Sequence, residues 1–165
     1  MKGALRIRTI LVGALAAVTT GAFAHSDPPE EPPAHMHHAM APTAFGEPGD
    51  PQQVTNVVHV DMTDDFRYSP DKLSVKAGET LRIIVHNRGQ LMHEIVIGSA
   101  AELEEHAAMM RQMQHMKHDD AFMAHVAPGG QASIIWRFTN AGEFKFACLI
   151  AGHFEAGMVG DIVVR

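Results

Sequence analysis

From Val54 onward, apolar residues recur at every second position in short stretches. Residues 54–62 are rich in Val and read as a strand. Residues 72–75 form a shorter one after Pro70, and Ala77-Gly78 turns the chain. Residues 80–87 set Leu81, Ile83 and Val85 on one face and Arg82, Ile84 and His86 on the other. A period of two is that of a pleated strand with one buried face. Asn87-Arg88-Gly89 interrupts the pattern, and residues 92–97 resume it. Residues 132–138, 143–148 and 161–164 complete the set, with Asn140-Ala141-Gly142 as a tight turn between two of them. Many short strands with regular turns predict an all-β, Greek-key sandwich or barrel over residues 54–165.

One insertion breaks the alternation. Ser99 and Glu102 have capping-box spacing, and residues 100–118 are mostly good helix formers. The spacing predicts a helical insertion within about 99–125. Leu103, His106, Met109, Met110, Met113 and Met116 fall in one arc of about 140° on that helix. The plain reading of the arc is a Met-rich face packed on the sandwich, because Met fills irregular gaps.

The first 53 residues follow neither pattern. Lys2, Arg6 and Arg8 precede an apolar run at 10–20, and Ala22-Phe23-Ala24 supplies a small-residue cleavage site. Residues 1–24 therefore read as a secretory signal peptide. The apolar run is shorter than the ~20 residues that a membrane span needs. Residues 25–53 hold most of the prolines and no periodicity, and are expected to be a disordered tail. Export implies a periplasmic, oxidising compartment.

Composition sharpens this picture. The 165 residues include one Cys, 12 His and 11 Met, with a formal net charge of −6. A single Cys excludes an internal disulfide framework and a thiolate-rich structural zinc site. An acidic chain with 6% aromatics has little with which to bind nucleic acid. A lone thiol in an oxidising compartment must be buried or bound to a metal. Imidazoles and thioethers are both copper ligands, and thioethers select Cu(I).

The chemistry gathers near the end of the chain. Cys148, His153 and Met158 form C-x4-H-x4-M at the junction of two predicted strands. A second imidazole would complete a His₂Cys set with a weak axial Met, the ligand set of blue-copper centres. His93, at the start of a predicted strand, is placed to supply it. The thiolate gives strong covalency, and the imidazoles accept both copper oxidation states. The long thioether bond disfavours the square geometry of Cu(II).

The segment Phe66-x-Tyr68-x-Pro70-x-x-Leu73-x-Val75-x-x-Gly78-x-Thr80-Leu81, with His93 and the C-x4-H-x4-M loop, resembles the cupredoxin family. The resemblance covers roughly the last 100 residues and implies a mononuclear type 1 copper site at His93, Cys148, His153 and Met158. The His/Met-rich N-terminal segment is similar to that of periplasmic members associated with copper tolerance. Two positions depart from the family pattern. Glu94 stands where an Asn usually ties the ligand loops together, and Leu149 stands where a polar residue usually follows the Cys. Since such ties orient ligands and tune the metal, a perturbed, green rather than pure blue, centre is expected.

The surplus donors lie outside the strands. His25, with its free amine after cleavage, and the cluster His35, Met36, His37, His38 and Met40 are candidates for additional copper. Met109, Met110, Met113 and Met116 would serve likewise if the helix presented thioethers to Cu(I). His59 and His86 read as solvated or capped, with a second metal site as the alternative. His115, His118 and His125 read as solvated or structural. Copper tolerance, through binding, buffering or redox handling of copper ions, accounts for both the site and the surplus. A periplasmic electron shuttle, with a protein redox partner, accounts for the site alone. No second Cys-His-Met loop, P-loop, Gly-x-Gly-x-x-Gly or Ser-His-Asp order supports an enzyme.

Overall fold

The computed structural model describes residues 43–112 and 119–165. Ten strands and one α-helix fill them: β1 (Glu47–Pro48), β2 (Asn56–Thr63), β3 (Arg67–Ser69), β4 (Lys72–Val75), β5 (Thr80–Asn87), β6 (His93–Gly98), α1 (Ala100–Gln112), β7 (Met123–Val126), β8 (Gln131–Arg137), β9 (Gly142–Ala147) and β10 (Val159–Val164). One sheet has the order β1-β8-β5-β2-β3 and the other β4-β10-β9-β6-β7. The β2–β5 and β4–β10 pairs are parallel and the remainder antiparallel. The all-β sandwich with one helix expected from the alternation is the observed fold.

The alternation works as predicted in β5, where Leu81, Ile83 and Val85 are buried. They join Val60, Met62, Ile95, Trp136, Phe146 and Ile162 in the main core. Every residue of β6 is buried, because α1 covers the face that the sandwich does not. Leu103, Ala107 and Met110 of α1 pack on Val96, Met123, Ala147 and Leu149 in a second, smaller core. Ser99 and Glu102 make the expected capping box, with Ser99 N and Oγ both donating to Glu102 Oε2 at 2.8 and 2.6 Å.

Two boundaries differ from the sequence reading. The tail is expected to run over 25–53, but from residue 43, where the described chain begins, these residues pack on the sandwich. Phe45 stacks on Trp136 with centroids 5.3 Å apart, and its carbonyl accepts from the indole Nε1 at 3.2 Å. Glu47 and Pro48 then pair with β8. One large aromatic ring with a place in the core outweighs the surrounding Pro and Gly. The insertion expected to run to 125 ends earlier, because Met123–Val126 pairs antiparallel with β6 as an edge strand. Its four residues are too few to display a period.

Candidate metal centre

Three elements converge at one end of the sandwich. His93 opens β6, Cys148 follows β9, and the loop from Cys148 to Met158 leads into β10. One ligand atom from each of His93, Cys148 and His153 lies within 4.8 Å of the others. Cys148 Sγ is 3.3 Å from His153 Nδ1. His93 Nδ1 is buried with no hydrogen-bond partner in the protein. A buried nitrogen lone pair facing a thiol and a second imidazole is costly unless something binds it. Two imidazole nitrogens and a soft sulfur fit copper better than a hard cation. Met158 is wholly buried at the far end of the loop. Its N–H donates to His153 O at 3.0 Å, and its carbonyl accepts from Cys148 N at 3.1 Å.

The loop folds as it does for local reasons. Gly152 and Gly157 adopt φ of +92° and +91°, a region open to Gly. His153 N donates to Ile150 O, and Gly157 N to Phe154 O, both at 2.9 Å. Arg67 Nη1 donates to Ala156 O at 2.9 Å and to Phe66 O at 2.8 Å, fastening the loop to the β2–β3 turn. That turn holds Phe66 at φ 60°, a strained conformation for a bulky side chain. The Phe66 ring consequently lies 4.6 Å from the His153 ring and 6.4 Å from His93, shielding both. Arg111 of α1 pairs with Glu155, bracing the loop from the other side.

Asp64 orients His93. Its Oδ1 lies 2.9 Å from His93 Nε2, leaving Nδ1 as the nitrogen turned toward the centre. Asp64 also accepts from the N–H groups of Gln90 at 2.6 Å and Leu91 at 3.3 Å. The Gln90 bond, then the His93 bond, hold its carboxyl below the usual carboxylate range. Asn87 fixes the same segment, donating to Leu91 O at 2.7 Å and Val126 O at 2.9 Å. Nothing in the local sequence singles out Asp64, because its partners lie 26 to 29 residues away.

Glu94 answers the doubt raised by the sequence. Its carboxylate replaces the amide as the tie between loops: Oε1 accepts from Leu149 N at 2.8 Å. Its Oε2 sits 2.9 Å from His125 Nε2, so His125 has a structural partner. Its N–H points at Cys148 Sγ, 3.4 Å away, and its carbonyl accepts from Tyr68 Oη at 2.6 Å. Leu149 is apolar because it forms the floor beneath α1. Burial pushes the Cys148 thiol up to about 12, against weaker lowering by the Glu94 and Ile150 backbone N–H groups. Burial also lowers His153, helped by the neighbouring His93. Both shifts favour a neutral, protonated thiol and a neutral imidazole until a cation arrives.

The other candidate donors divide. His25, His35, Met36, His37, His38, Met40, Met113 and Met116 lie outside the described residues, as do His115, His118 and the expected signal peptide. Met110 is packed in the smaller core, whereas Met109 is 39% exposed, so these two do not present one thioether surface. His59 and His86, read as solvated, meet one another on the outer face of a sheet.

Comparison with known proteins agrees with this geometry. Residues 54–165 match the model of the copper binding proteins of the plastocyanin/azurin family. The chain is 45% identical over 162 residues to the copper-resistant cuproprotein CopI of Rubrivivax gelatinosus, covering 98% of this chain and 97% of that one. It is 36% identical over 168 residues to CopI of Vibrio cholerae, covering 94% and 97%. Among solved structures, auracyanin B superposes with a TM-score of 0.60 at 20% identity, over 73% of this chain and 96% of that one. A reduced auracyanin from Roseiflexus castenholzii gives 0.56 at 22% identity, over 67% and 97%. The fold, the buried Cys and two His, and these matches together place the chain in the plastocyanin/azurin family of copper-binding proteins.

Proposed function

We propose that this protein is a periplasmic copper-tolerance cupredoxin whose type 1 centre is formed by His93, Cys148, His153 and Met158. The observation that carries the reading is the convergence of a buried thiol and two imidazoles in a chain whose CopI relatives align over nearly its full length. Copper held there would supply one-electron redox chemistry, with thiolate and thioether as its soft donors. The chain's own residues supply the rest. Asp64 and Glu94 fix the ligand directions, Phe66 limits water, and Cys148 gives up its proton on binding. The Glu94 carboxylate in place of the usual amide supports a perturbed, green centre. The His/Met cluster at 25–40 adds copper capacity beyond the centre and favours tolerance as the main role.

A soluble electron shuttle is the second reading. It is favoured by the 46% exposure of both Leu91 and Met92, beside His93, as an apolar docking patch for a redox partner. No residue set in the site supports catalysis on an organic substrate.

Copper counting and spectroscopy on the exported protein test the proposal. Cys148→Ser should abolish the intense visible charge-transfer band while circular dichroism stays unchanged. Retention of the band would exclude Cys148 as the thiolate ligand. Deletion of residues 25–42 should lower the bound copper and the growth limit of cells in raised copper. Unchanged stoichiometry and growth would favour the shuttle.

A further inference from the structure

The cluster that the buried centre leaves unused is the imidazole pair on the outer face of the β2–β5 sheet. His59 pairs in register with Ile84, and His86 with Asp61, so the two His are diagonal neighbours on parallel strands. At His86 the β5 backbone is held on both sides, by Asp61 of β2 and Gln131 of β8, and His59 lies in the β2–β5 ladder two residues before the β3 pairing begins at Asp61. His59 Nδ1 lies 3.1 Å from His86 Nε2. The rings are 8° from parallel, with centroids 5.4 Å apart. That separation leaves little beyond the nitrogen gap and the two ring radii. The facing lone-pair positions therefore aim at each other and share one hydrogen. Asp61 stands opposite His86 in register, with Oδ1 held by Arg88 Nε at 3.0 Å.

We propose that His59 and His86 form a second, solvent-facing metal site that takes Cu(II). Imidazole nitrogens bind divalent copper more tightly than the other first-row divalent ions. Bonds of about 2 Å from two imidazole nitrogens, meeting at about 100°, span a chord close to the observed gap. The nitrogen spacing is thus already set, and only the ring directions change. The donor ring moves its hydrogen to its other nitrogen, which frees both facing lone pairs without net proton release. The rings turn outward, and water completes the coordination. No electron is transferred. The site sits on a strand pair rather than a loop, so its two nitrogens are preorganised. A net charge of −6 favours a cation there.

The test uses the full exported chain with its buried centre already loaded with copper. Cu(II) is titrated into the unsubstituted chain and into His59→Asn, His86→Asn and the double variant. Bound copper is counted by equilibrium dialysis, and electron paramagnetic resonance reads nitrogen coupling on the added ion. The unsubstituted chain should bind one Cu(II) more than any of the three variants, and the double variant should lose no more than a single one. The N-terminal donors are the same in all four chains and cancel. The visible band of the buried centre reports folding. Should a variant fail to fold, carbethoxylation of His59 and His86 in the unsubstituted chain, mapped by peptide mass, should slow when Cu(II) is present. Equal stoichiometry and identical spectra in all chains, or unchanged modification rates at both His, would overturn the site and leave a hydrogen-bonded pair only. The result does not depend on whether the protein acts in tolerance or as a shuttle.

Discussion

Glu94 ties β6 to the Cys148 loop through Leu149 N–H, and replacing it tests that tie. Glu94→Ala removes the acceptor for Leu149 N–H, which is buried. An unsatisfied buried N–H costs about 1–3 kcal/mol. The contact with His125 adds about 0–1 kcal/mol, because His125 is 39% exposed and regains water. One lost buried methylene adds about 0.8 kcal/mol. Glu94→Ala should therefore destabilise the metal-free protein by about 3 kcal/mol. Glu94→Gln keeps the methylene and an oxygen for Leu149 N–H, and any relief from removing the carboxylate is common to both variants. It should cost less than about 1 kcal/mol. Urea unfolding at pH 7, followed by the fluorescence of the single, fully buried Trp136, reads the difference. With a slope near ~2 kcal/mol per M, the Ala midpoint should fall about 1 M or more below that of Gln. Equal midpoints for the two variants would refute the idea that the Leu149 hydrogen bond ties the Cys loop to β6.

Metal-free stability should fall at both ends of the pH range. The folded pKa of His153 is lowered from 6.5, so the unfolded chain binds more protons below 6.5 and stability is lost as pH drops through that window. Cys148 is raised from 9.0 to about 12, so the unfolded chain loses its proton first and stability is lost as pH climbs from 9 toward 12. Urea midpoints across pH check both slopes, and a flat profile would count against the burial of these ligands. Asp64→Ala should weaken copper affinity by about 10- to 100-fold in competition with a chelator, because His93 loses its orienting partner; an unchanged affinity would show that β6 alone positions the ring. Phe45→Ala should cost about 3–5 kcal/mol in urea, whereas deletion of residues 25–42 should leave the midpoint unchanged. A silent Phe45→Ala would mean that the sandwich begins at β2.

Much of the fold was legible because strand alternation and turn residues are local. Strands β4 and β5 match the sequence reading residue for residue, and the capping box placed the start of α1. The elements missed were those too short to display a period: β1, β3 and β7. Phe45 could have been suspected, as a lone aromatic in a Pro/Gly-rich stretch.

The sequence by itself placed Cys148, His153 and Met158 on one loop and offered His93 as a second imidazole. The fold brings His93, Cys148 and His153 together. Only the tertiary structure decided what surrounds those donors. Glu94 reaches Leu149 across 55 positions, Asp64 reaches His93 across 29, and His59 meets His86 across 27. Such pairings are set by strand order and register, which no local pattern encodes. The same reason explains why Glu94 and Leu149, read as the loss of a tie, turned out to be its two halves.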